Sequence, residues 1–104
     1  MSNVLFVAIA EASLLEAWAH VAANNASAAD RLVDAIHATC ERLAIFPEMG
    51  QARSDLAPRI RQFTVRDYLL VYRPCDGGIE VLLVAHGARD VDRAFRTLIL
   101  GLPS

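Results

Sequence analysis

Lysine is absent from the 104 residues, so all ten positive charges are arginines. Any function that depends on positive charge must therefore use guanidinium groups, which grip carboxylates and phosphates in a bidentate fashion and stack on aromatic rings. A GC-rich genome produces the same bias. Cysteine is scarce: Cys40 and Cys75 have no CxxC spacing and no metal-ligand spacing, which excludes a disulfide framework. Cys40 falls in a helical apolar stripe and reads as a small core residue, while Cys75 falls in a turn. Long apolar runs are missing too. The stretch Val4–Ala10 is too short for a membrane span and has no basic residue before it, so neither a signal nor an anchor is expected, and the chain reads as cytoplasmic. There is no phosphate-cradling glycine loop, no zinc ligand set and no Ser-His-Asp order, so no cofactor and no metal is expected. Repeats, low-complexity tracts and interdomain linkers are also lacking.

What is present is apolar residue in excess, 55% against the usual share of about 45–50%. A chain of this length makes one domain, 1–104, with a modest core that needs no staples. The excess means either a very apolar core or apolar surface kept for a partner. Charge is uneven. Residues 1–52 hold two arginines against six acids, a net of −4, and residues 53–104 hold eight arginines against six acids, a net of +2.

Periodicity divides the chain into elements. Val4 to Ala8 predicts a strand. From Glu11 the spacing of Leu14, Trp18, Val21 and Ala22 predicts one face of a helix, ended by Asn24-Asn25. Ser27, with Asp30 three residues on as an approximate capping box, begins a second helix striped by Leu32, Val33, Ile36, Cys40, Leu43 and Ala44. Pro47 and Gly50 stop it. The short link makes the two an antiparallel helical hairpin. After a loop over Glu48–Pro58 the period falls to two: Ile60, Phe63 and Val65 mark one strand and Tyr68–Arg73 another. Pro74-Cys75-Asp76-Gly77-Gly78 is a turn, and Ile79–Ala85 is a central strand. Asp90 or Asp92 caps a last helix with Ala94, Phe95, Leu98 and Ile99, ended by Gly101 and Pro103. Strand, two helices, a three-stranded antiparallel meander and a short helix together predict an α+β fold.

Several segments carry a resemblance. Ala28-Ala29-Asp30-Arg31-Leu32-Val33-Asp34-Ala35-Ile36, Cys40-Glu41-Arg42-Leu43-Ala44 and Phe46-Pro47-Glu48-Met49-Gly50 resemble the second helix and following loop of ParE-type toxins. Arg53, Asp55-Leu56 and Pro58 are similar to the loop that leads on. Arg61-Gln62-Phe63, Val65 and Tyr68-Leu69-Leu70-Val71-Tyr72-Arg73 resemble the family's central strands. Val84-Ala85-His86-Gly87-Ala88-Arg89-Asp90 resembles its His-Gly-Ala-Arg-Asp signature. Two places depart from the pattern: Val7-Ala8 stands where the family often has Ser-Pro, and Ser13 stands where an acid usually precedes the leucine of the first helix. The resemblance implies a RelE/ParE-like α+β fold with the helical hairpin packed on an antiparallel sheet. It also implies the toxin half of a type II toxin–antitoxin pair, acting on DNA gyrase by protein–protein binding and neutralised by a ParD-like antitoxin that wraps over it.

The rival within the superfamily is a RelE-like ribosome-dependent mRNA endonuclease. Cleavage by the RNA's own 2′-OH needs a base, an acid and positive charge for the phosphorane. Those enzymes use lysines, absent here, and an arginine after the first tyrosine of the Tyr68–Arg73 strand, where this chain has Leu69. A third reading is an inactive member that only binds antitoxin. No catalytic residue is expected. The residues expected to face a partner are Arg61, Tyr68, Tyr72, Arg73, His86, Arg89 and Asp90. Tyr68 and Tyr72 share a strand face and, with Arg61 or Arg73, form either an Arg–aromatic platform or ordinary core. His86 is either an acid/base or a strand-end residue shaping the turn, Arg89-Asp90 a capping pair or partner contact, and Gly87 a tight bend. Trp18 reads as core, and His20 and His37 as ordinary surface or boundary positions.

Overall fold

The two apolar strands after Asp67 form the middle of a five-stranded sheet. A computed structural model describes residues 3–87 and 91–100, the side chains of 92 and 97–100 excepted. In chain order the elements are β1 (Asn3–Phe6), α1 (Ala8–Ala22), α2 (Ala26–Ile45), a 3-10 turn (Pro47–Met49), β2 (Gln51–Ala52), β3 (Arg61–Val65), β4 (Tyr68–Cys75), β5 (Gly78–His86) and α3 (Val91–Leu100). The sheet order is β1-β5-β4-β3-β2. The meander β3-β4-β5 is antiparallel, as the period of two predicts. The antiparallel expectation fails at one edge: β1 lies parallel to β5, with Val4 opposite Ile79 and Phe6 opposite Val81. The helical hairpin supplies the long crossover that a parallel neighbour needs. The sheet is therefore mixed, and the α+β arrangement stands.

Both sheet faces are covered. Toward the helices, Tyr68, Leu70, Tyr72, Ile79, Val81 and Val84 pack against Ala17, Leu32, Ile36, Cys40 and Leu43. On the far face Leu69, Val71, Leu82, Leu83 and Ala85 pack against Ile60, Val91 and Phe95. Two dry faces explain why β5 reads as continuous apolar sequence instead of alternating. One irregularity sits within it. Val71 pairs with Leu83 while Tyr72 pairs with Val81, so Leu82 is an extra residue, and Leu82 and Leu83 turn to the same face.

Three expected boundaries move. The first strand stops at Phe6 and α1 begins at Ala8, three residues before Glu11. Short apolar runs are ambiguous between strand and helix, and here Val7 decides it. Its N–H donates to the Val81 carbonyl (3.1 Å), and its own carbonyl accepts from Glu11 N (3.0 Å). The cap of α2 is Asn25, whose side chain accepts from Ala28 N at 3.0 Å, and not Ser27. Asp30 accepts instead from the Trp18 indole N–H at 2.9 Å, tying the two helices together. Finally, Cys75 is the last residue of β4 and pairs with Gly78. The turn shrinks to Asp76-Gly77, with Gly77 at φ 78. Asp90, Gly101 and Pro103, named as helix boundaries, lie outside the described residues, as does the side chain of Asp92.

Candidate functional site

Those of the expected partner-facing residues that the structure describes do not meet at one place. Tyr68 and Tyr72 do share the helix-facing side of β4, but they stand about 13 Å apart along the strand and serve opposite ends of the sheet.

At one end Tyr72 is completely buried. Its hydroxyl donates to the Pro47 carbonyl (2.6 Å) and accepts from Gly50 N (3.0 Å). Arg61, opposite Tyr72 on β3, donates to the carbonyls of Gly50 (2.6 Å) and Glu48 (3.3 Å). Together they fasten the Pro47–Gly50 corner to the sheet. Burial pushes the Tyr72 phenol above its ordinary pKa, against the opposing pull of the Gly50 hydrogen bond and the Arg61 charge. Gly50 is required here, because a Cβ would collide with the Tyr72 hydroxyl and lie 2.8 Å from the Gln62 carbonyl. Of the two roles open to it, Tyr72 has the packing one. Arg73 belongs to the other face. It donates to Glu80 across the β4–β5 ladder, Nε to Oε1 at 2.6 Å, and forms no platform with either tyrosine.

At the other end lies a hollow of about 300 Å³, lined by Ser13, Glu16, Ala17, His20, Tyr68, Val84 and His86. Three rings follow one another across it. His20 and His86 are 5.5 Å apart between centroids, and His86 and Tyr68 are 4.9 Å apart. Tyr68 is only 5% exposed, and burial first, then the Asp67 charge, push its phenol above its ordinary pKa. Gly87 closes the strand at φ 79 and donates from its N–H to the Asp67 carbonyl (3.1 Å), the bend its residue type predicts. Ser13 accepts from Val84 N (2.9 Å) and donates to the Ala10 carbonyl (3.0 Å). Beyond Val81 the strand β5 has no β1 neighbour, and this serine takes the place of a strand partner. Glu16, His20 and Ser13 were not expected at a site. Their spacing of three and four puts them on one helical face, the signal that would have found them. Arg89 and Asp90 lie outside the described residues.

Two of the larger hollows are broad apolar grooves. One of about 540 Å³ lies on the helical hairpin, among Phe6, Leu14, Leu15, Trp18, Val33 and His37. Leu15 is 65% exposed at its edge, and Trp18 lines this groove, half-buried, and is not core. The other, about 600 Å³, opens on the far face among Ile9, Pro58, Ile60, Leu82 and Phe95. Among the described residues no three His, Cys, Asp or Glu are placed to hold a metal ion. No helix there is long and apolar enough to cross a membrane.

Residues 4–91 match the family model of the ParE toxin of the type II toxin–antitoxin system parDE. The chain belongs to the ParE toxin family. Within it, the chain is 31% identical to Toxin ParE3 of Caulobacter vibrioides over 64 residues, which is 62% of this chain and 64% of that relative's length. In structure it resembles a chain of the chromosomal ParDE TA system from P. aeruginosa, with a TM-score of 0.70 at 19% identity. That likeness covers 85% of this chain and 98% of the other, and it shows that the two share the α+β fold.

Proposed function

We propose that this ParE-family toxin arrests growth by binding DNA gyrase in the cytoplasm, catalyses no reaction itself, and is neutralised by a ParD-like antitoxin. Leu69 carries the argument. It stands where a RelE-like nuclease has an arginine, and it is packed in the far-face core beside Val71 and Leu82. A buried leucine can neither give a proton nor stabilise a phosphorane. The chain has no lysine, and two of the arginines nearest this strand are already engaged: Arg61 holds the Pro47–Gly50 corner and Arg73 is paired with Glu80. The groove on the helical hairpin suits an amphipathic antitoxin segment, which would cover Leu14, Leu15 and Trp18. His86 and Arg73, both exposed, Tyr68 beside His86, and Arg61 at the opposite end of the sheet are the residues we assign to partner contact; Arg89 and Asp90 join them from the signature.

The test is to induce the chain alone in a bacterial host and follow growth, gyrase-linked DNA breaks and transcript integrity together. Arrest with trapped breaks and intact mRNA is expected. Arrest with ribosome-dependent transcript cleavage would overturn the reading in favour of a nuclease, with Arg61, His86 and Arg89 the first residues to mutate. Normal growth with confirmed expression would point to a member that only binds antitoxin.

A further inference from the structure

The groove on the helical hairpin is bounded by one face of each helix. On α1, Glu11, Leu14, Leu15 and Trp18 recur at the three- and four-residue spacing that stacks side chains on one face. From α2, Val33 and His37 line the same space, and Phe6 lies against the His37 ring at 5.6 Å between centroids. The walls are apolar and Leu15 stays 65% exposed, so the fold itself does not close this surface. Six of the seven lining residues belong to α1 and α2, whose backbone groups are bonded along the helices. An extended segment laid between them would leave its own N–H and C=O groups unpaired. A helix satisfies those groups internally and offers a side-chain face of the same period.

The rim sets the charge of that helix. Glu11 stands on the α1 side, and on the α2 side Asp30, Asp34 and Glu41 interleave with Val33 and His37 at the same spacing, all four acids exposed. Asp30 accepts from the indole N–H of Trp18 (2.9 Å), which brings its carboxylate to the groove. The other three make no ion pair among the described residues. Arg31 and Arg42 lie about a third of a turn or more around α2 from the lining residues. Asp30 and Asp34 are also like charges four residues apart, an arrangement that weakens a bare helix and that a cation beside them relieves. A second copy presents the same acidic rim and is repelled, as is an anionic lipid surface.

We propose that this groove receives a cationic amphipathic helix of a partner polypeptide. Its apolar face lies on Leu14, Leu15 and Trp18, and its arginines or lysines reach over Glu11, Asp30, Asp34 and Glu41. This rests on the reading of the groove as the antitoxin's seat, and it fixes the conformation and the charge of the segment that sits there.

Trp18 is the chain's only tryptophan, so its fluorescence reports on the groove. The purified chain, without antitoxin or gyrase, is titrated with three peptides of about 15 residues, near the length at which an isolated helix holds. One is an amphipathic Leu/Arg helix, one keeps the apolar face with Glu in place of Arg, and one is the Leu/Arg composition in scrambled order. The Leu/Arg helix should give a saturable blue shift and bind at least about tenfold more tightly than the other two. Asp34→Asn combined with Glu41→Gln, both at exposed positions, should weaken it about fivefold or more, and Leu15→Ala about tenfold. Glu16→Gln, which faces the other hollow, should change nothing. Equal binding of the Glu peptide would overturn the charge and leave an apolar seat for the antitoxin, whereas no response to any peptide would overturn both readings. Equal binding of the scrambled peptide would reduce the contact to bulk attraction and sink the proposal. A blue shift on concentrating the chain alone would give the groove to a second copy instead.

Discussion

Tyr72 shows how much one side chain can hold in place. Its hydroxyl satisfies a carbonyl of the Pro47–Met49 turn and the N–H of Gly50, neither of which has a strand to pair with. Tyr72→Phe leaves both without that partner, and urea denaturation should show a loss of about 1–3 kcal/mol at neutral pH. The pH dependence has a definite sign. The phenol is held above its ordinary value in the folded chain, and in the unfolded chain it loses its proton near pH ~10. Its contribution is therefore complete below pH ~10 and drains away as pH rises from there toward the folded value. The alkaline limb of a stability profile should be shallower in Tyr72→Phe, with Cys40 and Tyr68, both also raised, contributing to what remains. A platform of tyrosine and arginine was half legible at these positions. The period of two puts both tyrosines on one face, but it says nothing about which end of the sheet is roofed.

At the level of elements, the two departures from the family pattern acquire structural meaning. Val7 is the N-cap of α1 with no side-chain hydrogen bond, and Ala8 is the first helical residue. These are the positions where serine and proline are favoured, which is what the family often has there. Val7 already has φ −68 and ψ 161, the extended conformation a following proline demands. Ala8→Pro should therefore stabilise the chain by about 0.4–1 kcal/mol, measured as a shifted urea midpoint at constant slope. Ser13 works in the other direction. Ser13→Ala strands the Val84 N–H at a half-buried site and should cost about 1–3 kcal/mol, with faster hydrogen exchange at Val84 as its local signature. Elements themselves were readable where the period was clean, as in α2, or where an apolar run was bounded by turn residues, as in β5. Boundaries were less so: the run from Val4 to Ala10 is apolar in either conformation, and what divides it is the Val7 hydrogen bond to Val81, a contact 74 residues away in sequence. The parallel seat of β1 is equally a matter of distant pairing.

For the whole molecule, Cys40 is a built-in reporter. Its thiol is 1% exposed in the core between α2 and the sheet. Burial, with a smaller push from Glu41, drives its pKa up to about 12. At pH 8 it should resist alkylation until the chain unfolds globally, while Cys75, half-exposed at the end of β4, reacts in the native state. Mass spectrometry of the labelled chain under rising urea separates the two, and early labelling of Cys40 would mean that the hairpin opens on its own. The outer strands have a consequence of a different kind. β1 has four residues and β2 two, whereas the strands between them reach eight and nine. Short rims present few open amides to another copy, and the long apolar strands stay inside. Proteolytic loss of the first six residues would turn β5 into a rim, and its open amides would then invite pairing with further copies of the chain.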